Sequence, residues 1–245
     1  MYKRQAIEAL RRALAALAPP AKTLRETETG NDAVASDADF FPAVMPLLRE
    51  LLQPKPDPSR DPPGHAASVG GNTVAEMEAE AARVAAEAKT DDAVAILGLR
   101  CSATLCAGAT RDAIRSAAPE CASLAADALA PAHGWTRRAA ACAVVAAAAS
   151  RVAIEARDAT SSAESLAAEA WLAPLAAPLA ACASDARVSQ LRVAAADALA
   201  AAAAALAKGS STRAACVKQL EAMRDGDRAP DVRGAAGRAL APFGA

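Results

Sequence analysis

The stretch that decides the fold reads Leu191-Arg-Val-Ala-Ala-Ala-Asp-Ala-Leu199. It places alanine three and six residues after Arg192, and Leu199 seven residues after it. These three positions share one face of an α-helix. The small residues let a second helix approach closely, and the large residue fills the gap that remains. The stretch therefore predicts a helix that packs tightly against another helix.

The same frame of a basic residue, alanine at +3 and +6, and leucine or valine at +7 recurs along the chain. Its copies are Lys3, Ala6, Ala9 and Leu10; Arg137, Ala140, Ala143 and Val144; Arg192, Ala195, Ala198 and Leu199; and Arg233, Ala236, Ala239 and Leu240. A weaker copy starts at Arg100. The last three full copies begin 55 and 41 residues apart, close to the length of a two-helix repeat. The recurrence predicts repeated helix pairs, with these residues as the structural repeat positions.

Composition agrees with an all-α fold. The 245 residues are rich in alanine, the best helix former, and only 2% are aromatic. Sheets need β-branched and aromatic side chains on their faces, and this chain has few. We therefore expect one domain over residues 1–245, made of antiparallel helix pairs stacked into an α-solenoid.

Breaks at glycine, proline and short polar runs place the individual helices. We predict helices near 2–17, 39–53, 73–88, 91–108, 110–131, 134–153, 162–183, 187–207, 210–224 and 229–242. Residues 19–37 are polar and are predicted to form a loop. Residues 54–72, rich in proline and glycine, are predicted to be a disordered insertion. A proline-rich ligand for a small recognition module is the alternative for this insertion.

Charge and hydropathy exclude several classes of partner. A net charge of −1 and a pI near 6.2 give no concentrated positive field for nucleic acid. We see no run of about 20 strongly apolar residues, so no membrane insertion is expected. The six cysteines are spread singly, which is typical of small buried residues in a reducing compartment. We expect a cytoplasmic protein that is also found in the nucleus.

Two stretches resemble HEAT repeats. Leu172-Ala-Pro-Leu-Ala-Ala-Pro-Leu179 has prolines in a first helix, and Asp185 and the Arg192 helix follow it. Asp231-Val-Arg-Gly-Ala-Ala-Gly-Arg-Ala-Leu240 is built like the second helix of such a pair. This resemblance implies a HEAT/ARM-like superhelix with a continuous core.

Six short landmarks extend the resemblance over nearly the whole chain. They are Tyr2-Lys3 with Ala9-Leu10, Phe40-Phe41 with Val44-x-Pro46-Leu47, Ala95-Ile96-Leu97-Gly98, Trp135-x-Arg137, Leu191-Arg192-x-x-Ala195 and Pro230-Asp231-Val232-Arg233. In this order they resemble the C-terminal region of the HEAT-repeat proteasome adaptor and scaffold family. The resemblance implies a fragment of a longer protein, with protein partners that include proteasome subunits.

The sequence offers little chemistry. His65 lies in the proline-rich insertion and His133 in a turn, and neither is paired with a nucleophile. We predict no catalytic, cofactor-binding or metal-binding residues, no cofactor and no small-molecule substrate. Trp135 and Trp171 are favoured as core residues, with exposed partner anchors as the alternative.

Three functions stay open from the residues. The first is a non-catalytic scaffold or adaptor that binds proteasomes. The second is another HEAT-type scaffold, of the transport or phosphatase-regulatory kind. The third is an enzyme of HEAT-like fold related to bilin lyases, which requires an acid–base cleft. Convergence of His133, a cysteine and two carboxylates would favour the enzyme.

Overall fold

The computed structural model describes residues 74–109, 111–156 and 162–244. Its helices are α1 (Val74–Gly108), α2 (Arg111–Leu129), α3 (Trp135–Ala156), α4 (Ser162–Ala183), α5 (Ser189–Ala205), α6 (Ser211–Gly226), α7 (Pro230–Leu240) and the 3₁₀ turn η1 (Ala241–Phe243). The predicted helices at 2–17 and 39–53, the loop at 19–37, the insertion at 54–72 with His65, and the frame that starts at Lys3 lie outside the described residues.

The helices form two layers. Helices α1, α3, α5 and α7 pack one against the next in one layer, and α2, α4 and α6 do so in the other. Short turns join α2 to α3, α4 to α5 and α6 to α7, and each of these pairs is also packed together. The described residues are thus stacked helix pairs without a β-strand. The predicted all-α solenoid is confirmed.

The first described helix differs from the prediction. We expected a break between helices at 73–88 and 91–108, but α1 is one helix of 35 residues. The expected break at Lys89-Thr90 contains neither glycine nor proline. The backbone can therefore continue its helical hydrogen bonds through this point. The predicted break is wrong.

Prolines lie where the repeat pattern places them, in the first helix of a pair. Pro119 lies inside α2, and Pro174 and Pro178 lie inside α4. Both helices are continuous across them, although each proline removes one backbone donor.

Leucines and alanines fill the space between the layers. On α4, Leu172, Leu175 and Leu179 follow one another at spacings of three and four and are fully buried. On α5, Ala195 and Leu199 are also buried, as the close-packing frame predicts. Alanine contributes little area per residue, so the large leucines carry much of the apolar burial.

One described helix, α4, is long and apolar enough to cross a membrane, through Leu166–Ala183. This finding rests on length and composition alone, and 39% of the window is buried inside the fold. Core helices of water-soluble proteins have the same properties.

Candidate functional site

An arginine on α5 joins two consecutive helix pairs. Arg192 donates from Nε to Oδ2 of Asp227 at 2.7 Å and from Nη2 to Oδ1 at 3.0 Å. Asp227 lies in the turn between α6 and α7. Nη1 of the same guanidinium donates to the carbonyl oxygen of Asp185 at 2.7 Å, in the turn that precedes its own helix. Only about a tenth of either side chain of the ion pair is exposed. Arg192 therefore ties two turns together through a two-pronged contact.

A second arginine repeats the contact one pair earlier. Arg138 on α3 donates from Nη1 to Oδ2 of Asp185 at 3.1 Å. Its Nη2 contacts the Sγ of Cys182 at 3.4 Å. Arg138 and Arg192 are both buried. The two contacts form a ladder of arginine and aspartate that runs along one end of the helices, and we call it the arginine ladder.

Both aspartates of the arginine ladder also accept hydrogen bonds from backbone N–H groups in the turns that contain them. Asp185 accepts from the backbone N–H of Arg187 at 2.9 Å and of Val188 at 3.1 Å. The N–H of Arg187 lowers the pKa of Asp185, and Val188 and Arg138 lower it further against the opposing effect of burial. Each carboxylate thus stays ionised and serves two helices at once.

Burial and hydrogen bonding also have opposite effects on the pKa of Asp227. It accepts from the N–H of Ala229 at 2.8 Å. Burial alone would raise the pKa of Asp227, but the hydrogen bonds from Arg192 and Ala229 lower it.

The ladder corrects the register of the predicted frame in α3. Arg138, Arg192 and Arg233 are each the fourth residue of their helix, whereas Arg137 is the third of α3. Arg137 instead lies 4.0 Å from Asp92 on α1. Counted from Arg138, the +3, +6 and +7 residues are Ala141, Val144 and Val145, and all three are buried. Counted from Arg137, Ala140 and Val144 are buried but the +6 residue, Ala143, is exposed, so all three positions are buried only when the frame is counted from Arg138.

The frames in α5 and α7 lie where the sequence places them. Ala195, Ala198 and Leu199 are buried in α5. In α7, Ala236 and Leu240 are buried and Ala239 is partly buried. The weaker copy at Arg100 has an exposed arginine and a buried Cys106 in α1.

The layer formed by α2, α4 and α6 has a polar link of its own. Glu169 on α4 accepts hydrogen bonds from the hydroxyl groups of Ser210, at 2.5 Å, and Thr212. Ser210 caps α6, because its side chain accepts from the backbone N–H of Arg213 at 3.1 Å. Glu169 thereby fixes the start of α6 against α4. Sequence analysis missed this contact, although a serine before a helix was a readable cap signal.

The cysteines are less isolated than their spacing suggested. Sγ of Cys106 on α1 lies 3.8 Å from Sγ of Cys121 on α2. Cys142 on α3 contacts Cys182 on α4 through its side chain. The contact with Cys142 lowers the pKa of Cys182, and the charge of Arg138 lowers it further against burial. None of the six cysteines, all of which lie among the described residues, forms a disulfide.

His133 lies in the turn between α2 and α3, near charged side chains of both signs. Burial lowers the pKa of His133 and so does the charge of Arg137, while Asp92 and Asp127 raise it. Two carboxylates, Asp92 and Asp127, thus act on the imidazole. Among the described residues no group of three or more metal-binding side chains is found.

The two tryptophans separate into different environments. Trp171 on α4 is 8% exposed and belongs to the core. It also borders an apolar groove of about 550 Å³ between α2 and α4, which Pro119, Pro174 and Leu175 line with it. Trp135 is 45% exposed at the start of α3, beside the turn that follows α2. The core role fits Trp171, and the exposed alternative fits Trp135.

Comparison with known proteins identifies the repeats. A family model described as the C-terminal ARM-like repeats of ECM29 matches residues 33–242. The chain belongs to this family. ECM29 is a proteasome adaptor, so the family is the one that the sequence landmarks resembled. No curated protein and no solved structure matched the chain. Membership in the ECM29 family agrees with stacked helix pairs and supports a repeat scaffold.

Proposed function

We propose that this ECM29-type chain is a protein-binding scaffold that attaches to proteasomes and links them to other proteins. The observation that carries the proposal is the family match over residues 33–242, most of which the structure describes as a solenoid. Stacked repeats present long continuous surfaces, which suit binding to large protein assemblies. We further propose that it acts in the cytoplasm and the nucleus, and without a cofactor.

Two grooves between described helices differ in the side chains that line them. The groove between α2 and α4 has Arg115 and Ser123 as its polar side chains among apolar ones. A second groove of about 420 Å³ between α5 and α7 contains Asp231 and Arg238 beside Gly234. The non-catalytic part of the proposal rests on the repeat family, whose members are scaffolds of this kind.

Binding to purified proteasomes tests the proposal. The full 245-residue chain is immobilised and incubated with purified proteasomes, and retained subunits are quantified. The matched control is Leu199→Asp, which puts a charge at a core position that is 1% exposed and should unfold the solenoid. We expect retention by the wild-type chain and loss with the control. A folded wild-type chain that retains no proteasome at micromolar concentration would contradict the proposal.

A further inference from the structure

Two pairs of cysteines lie between neighbouring helices, and an arginine of the ladder contacts one of them. In the first pair, Sγ of Cys106 on α1 lies 3.8 Å from Sγ of Cys121 on α2. In the second pair, Cys142 on α3 contacts Cys182 on α4 through its side chain. Nη2 of Arg138 lies 3.4 Å from Sγ of Cys182. The second pair thus combines two thiols in contact with a buried cation.

The two sulfurs of the second pair differ in their preferred protonation. Contact with Cys142 lowers the pKa of Cys182, and the charge and hydrogen bond of Arg138 lower it further, against burial and the carboxylate of Asp185. The pKa of Cys142 is raised instead, first by its contact with Cys182 and then by burial. Cys142 is therefore the S–H donor, and Cys182 is the sulfur that holds a negative charge. The thiolate is the form of cysteine that attacks an oxidant.

The surroundings of the first pair favour neutral thiols. Contact with Cys106 raises the pKa of Cys121, and burial and the negative charge of Glu120 raise it further. The side chains of both pairs are buried alike, since each of the four cysteines is at most 2% exposed. The two pairs therefore differ in their electrostatics and not in their burial.

Both pairs lie near helix ends, where local opening admits a small molecule. Cys182 is the next-to-last residue of α4, and the nearby Ala181 and Ser184 are exposed. Cys106 lies as close to the end of α1, which is Gly108. The ends of helices open at a low cost in free energy. A molecule as small as hydrogen peroxide can then reach either pair, and the charge on the sulfur decides which pair reacts.

We propose that Cys142 and Cys182 form a peroxide-sensitive dithiol, in which Cys182 attacks the oxidant and Cys142 closes a disulfide. The thiolate of Cys182 attacks one oxygen of hydrogen peroxide, and the O–O bond breaks. The sulfur keeps that oxygen as a sulfenic acid, and the other oxygen leaves as hydroxide. The sulfur of Cys142 then attacks the sulfenic sulfur, so that an S–S bond forms and the S–O bond breaks. The departing hydroxide takes the thiol proton of Cys142 and becomes water, so two sulfurs are oxidised and one peroxide is reduced.

The disulfide would connect oxidation to the arginine ladder. It would join α3 in one layer to α4 in the other by a covalent bond. It would also remove the negative sulfur that Arg138 contacts and leave Arg138 with Asp185, which lies 3.1 Å away. This site goes beyond proteasome binding, because it rests on the thiols and Arg138 alone.

Oxidation of the full 245-residue chain tests the proposal within one molecule. The chain is treated with hydrogen peroxide, the remaining thiols are blocked with N-ethylmaleimide, and non-reduced tryptic peptides are followed by mass spectrometry. A disulfide between Cys142 and Cys182 joins peptides 139–151 and 158–187. We expect it to form at least about tenfold faster than a disulfide between Cys106 and Cys121, and to be reversed by dithiothreitol. Because both pairs are compared in the unchanged chain, this result does not depend on the folding of a variant.

Arg138→Gln tests the role of the cation. It should slow oxidation of the second pair about tenfold relative to the first pair in the same chain. Taking this ratio cancels a general loosening of the fold, which would speed both pairs. The matched control is Arg192→Gln, which removes another buried arginine of the ladder, one that donates to oxygens of Asp227 and Asp185. The control should leave the ratio unchanged.

Three results would overturn the proposal. The first is a wild-type chain in which the two pairs are oxidised at equal rates. The second is a pair of Cys142 and Cys182 that stays reduced in millimolar peroxide. The third is an Arg138→Gln chain that keeps the wild-type ratio of rates, because the guanidinium would then have no part in the reactivity of Cys182.

Discussion

Arg192 donates hydrogen bonds to both carboxylate oxygens of Asp227, at 2.7 and 3.0 Å, and so connects α5 to the turn between α6 and α7. A one-sided loss of such a contact leaves a buried charge without its partner, which costs more than the contact itself contributes. The arginine ladder therefore makes the stacking of one repeat on the next depend on single residues.

Asp227→Asn removes the charge that Arg192 requires. We expect it to lower the free energy of unfolding by about 2 kcal/mol, as measured by urea denaturation. Asp225→Asn is the matched control, because Asp225 also pairs with an arginine, Arg224, at 2.7 Å, but on the exposed surface. The control should leave the unfolding midpoint unchanged. Equal losses of unfolding free energy in the two variants would show that the buried ion pair stabilises the fold no more than the exposed one.

The stability of the ladder depends on pH. Because the pKa of Asp227 is lowered in the folded chain, its contribution is complete above the unfolded pKa of about 3.9 and is lost as the pH falls through the folded value. The stability gap between wild type and Asp227→Asn should therefore be widest near pH 7 and narrow at pH 3. Urea unfolding at the two pH values measures this gap, and a gap that is the same at both would speak against an ionised Asp227.

The register of α3 can be tested with two alanines. Ala141 is fully buried, whereas Ala143 is exposed. Ala141→Leu forces extra volume into a close helix contact and should cost about 1–3 kcal/mol of unfolding free energy. Ala143→Leu should change it by less than about 0.5 kcal/mol. The reverse order in urea denaturation would restore the frame counted from Arg137.

The two tryptophans should affect different properties. Trp171→Ala empties a core position and is expected to lower the free energy of unfolding by about 3 kcal/mol. Trp135→Ala should leave stability nearly unchanged and weaken retention of purified proteasomes about tenfold, since exposed tryptophans often anchor partners. Denaturation and binding titration of both variants measure this. Unchanged binding with Trp135→Ala would remove Trp135 as an anchor.

Much of the helix arrangement could be predicted from the sequence, because the residues that start and stop each helix lie next to its ends. The predicted helix at 162–183 and α4 (Ser162–Ala183) have the same bounds, since polar residues before it and Asp185 after it mark both ends. The missed continuity of α1 has the opposite cause. Polar residues at Lys89-Thr90 looked like a break, but they carry no backbone constraint.

The register error and the missed contacts arise from different limits. Two adjacent arginines, Arg137 and Arg138, both fit an alanine-rich frame, and only the buried face of α3 separates them. The partners of the ladder lie 47 and 35 residues from their arginines. No local pattern reports such pairs. The common place of Arg138, Arg192 and Arg233 as fourth residues becomes visible only with the helix starts of the structure, because the predicted starts at 134, 187 and 229 do not align them.

The most direct test of the arginine ladder is a double-mutant cycle between Arg192→Met and Asp227→Asn in urea denaturation. The two changes should be non-additive by about 1.5 kcal/mol or more, because either one already breaks the shared contact. The control cycle pairs Arg137→Met with Asp227→Asn, since Arg137 faces Asp92 on α1 instead. That cycle should be additive within about 0.5 kcal/mol. Additivity in both cycles would contradict a ladder that joins consecutive repeats through these residues.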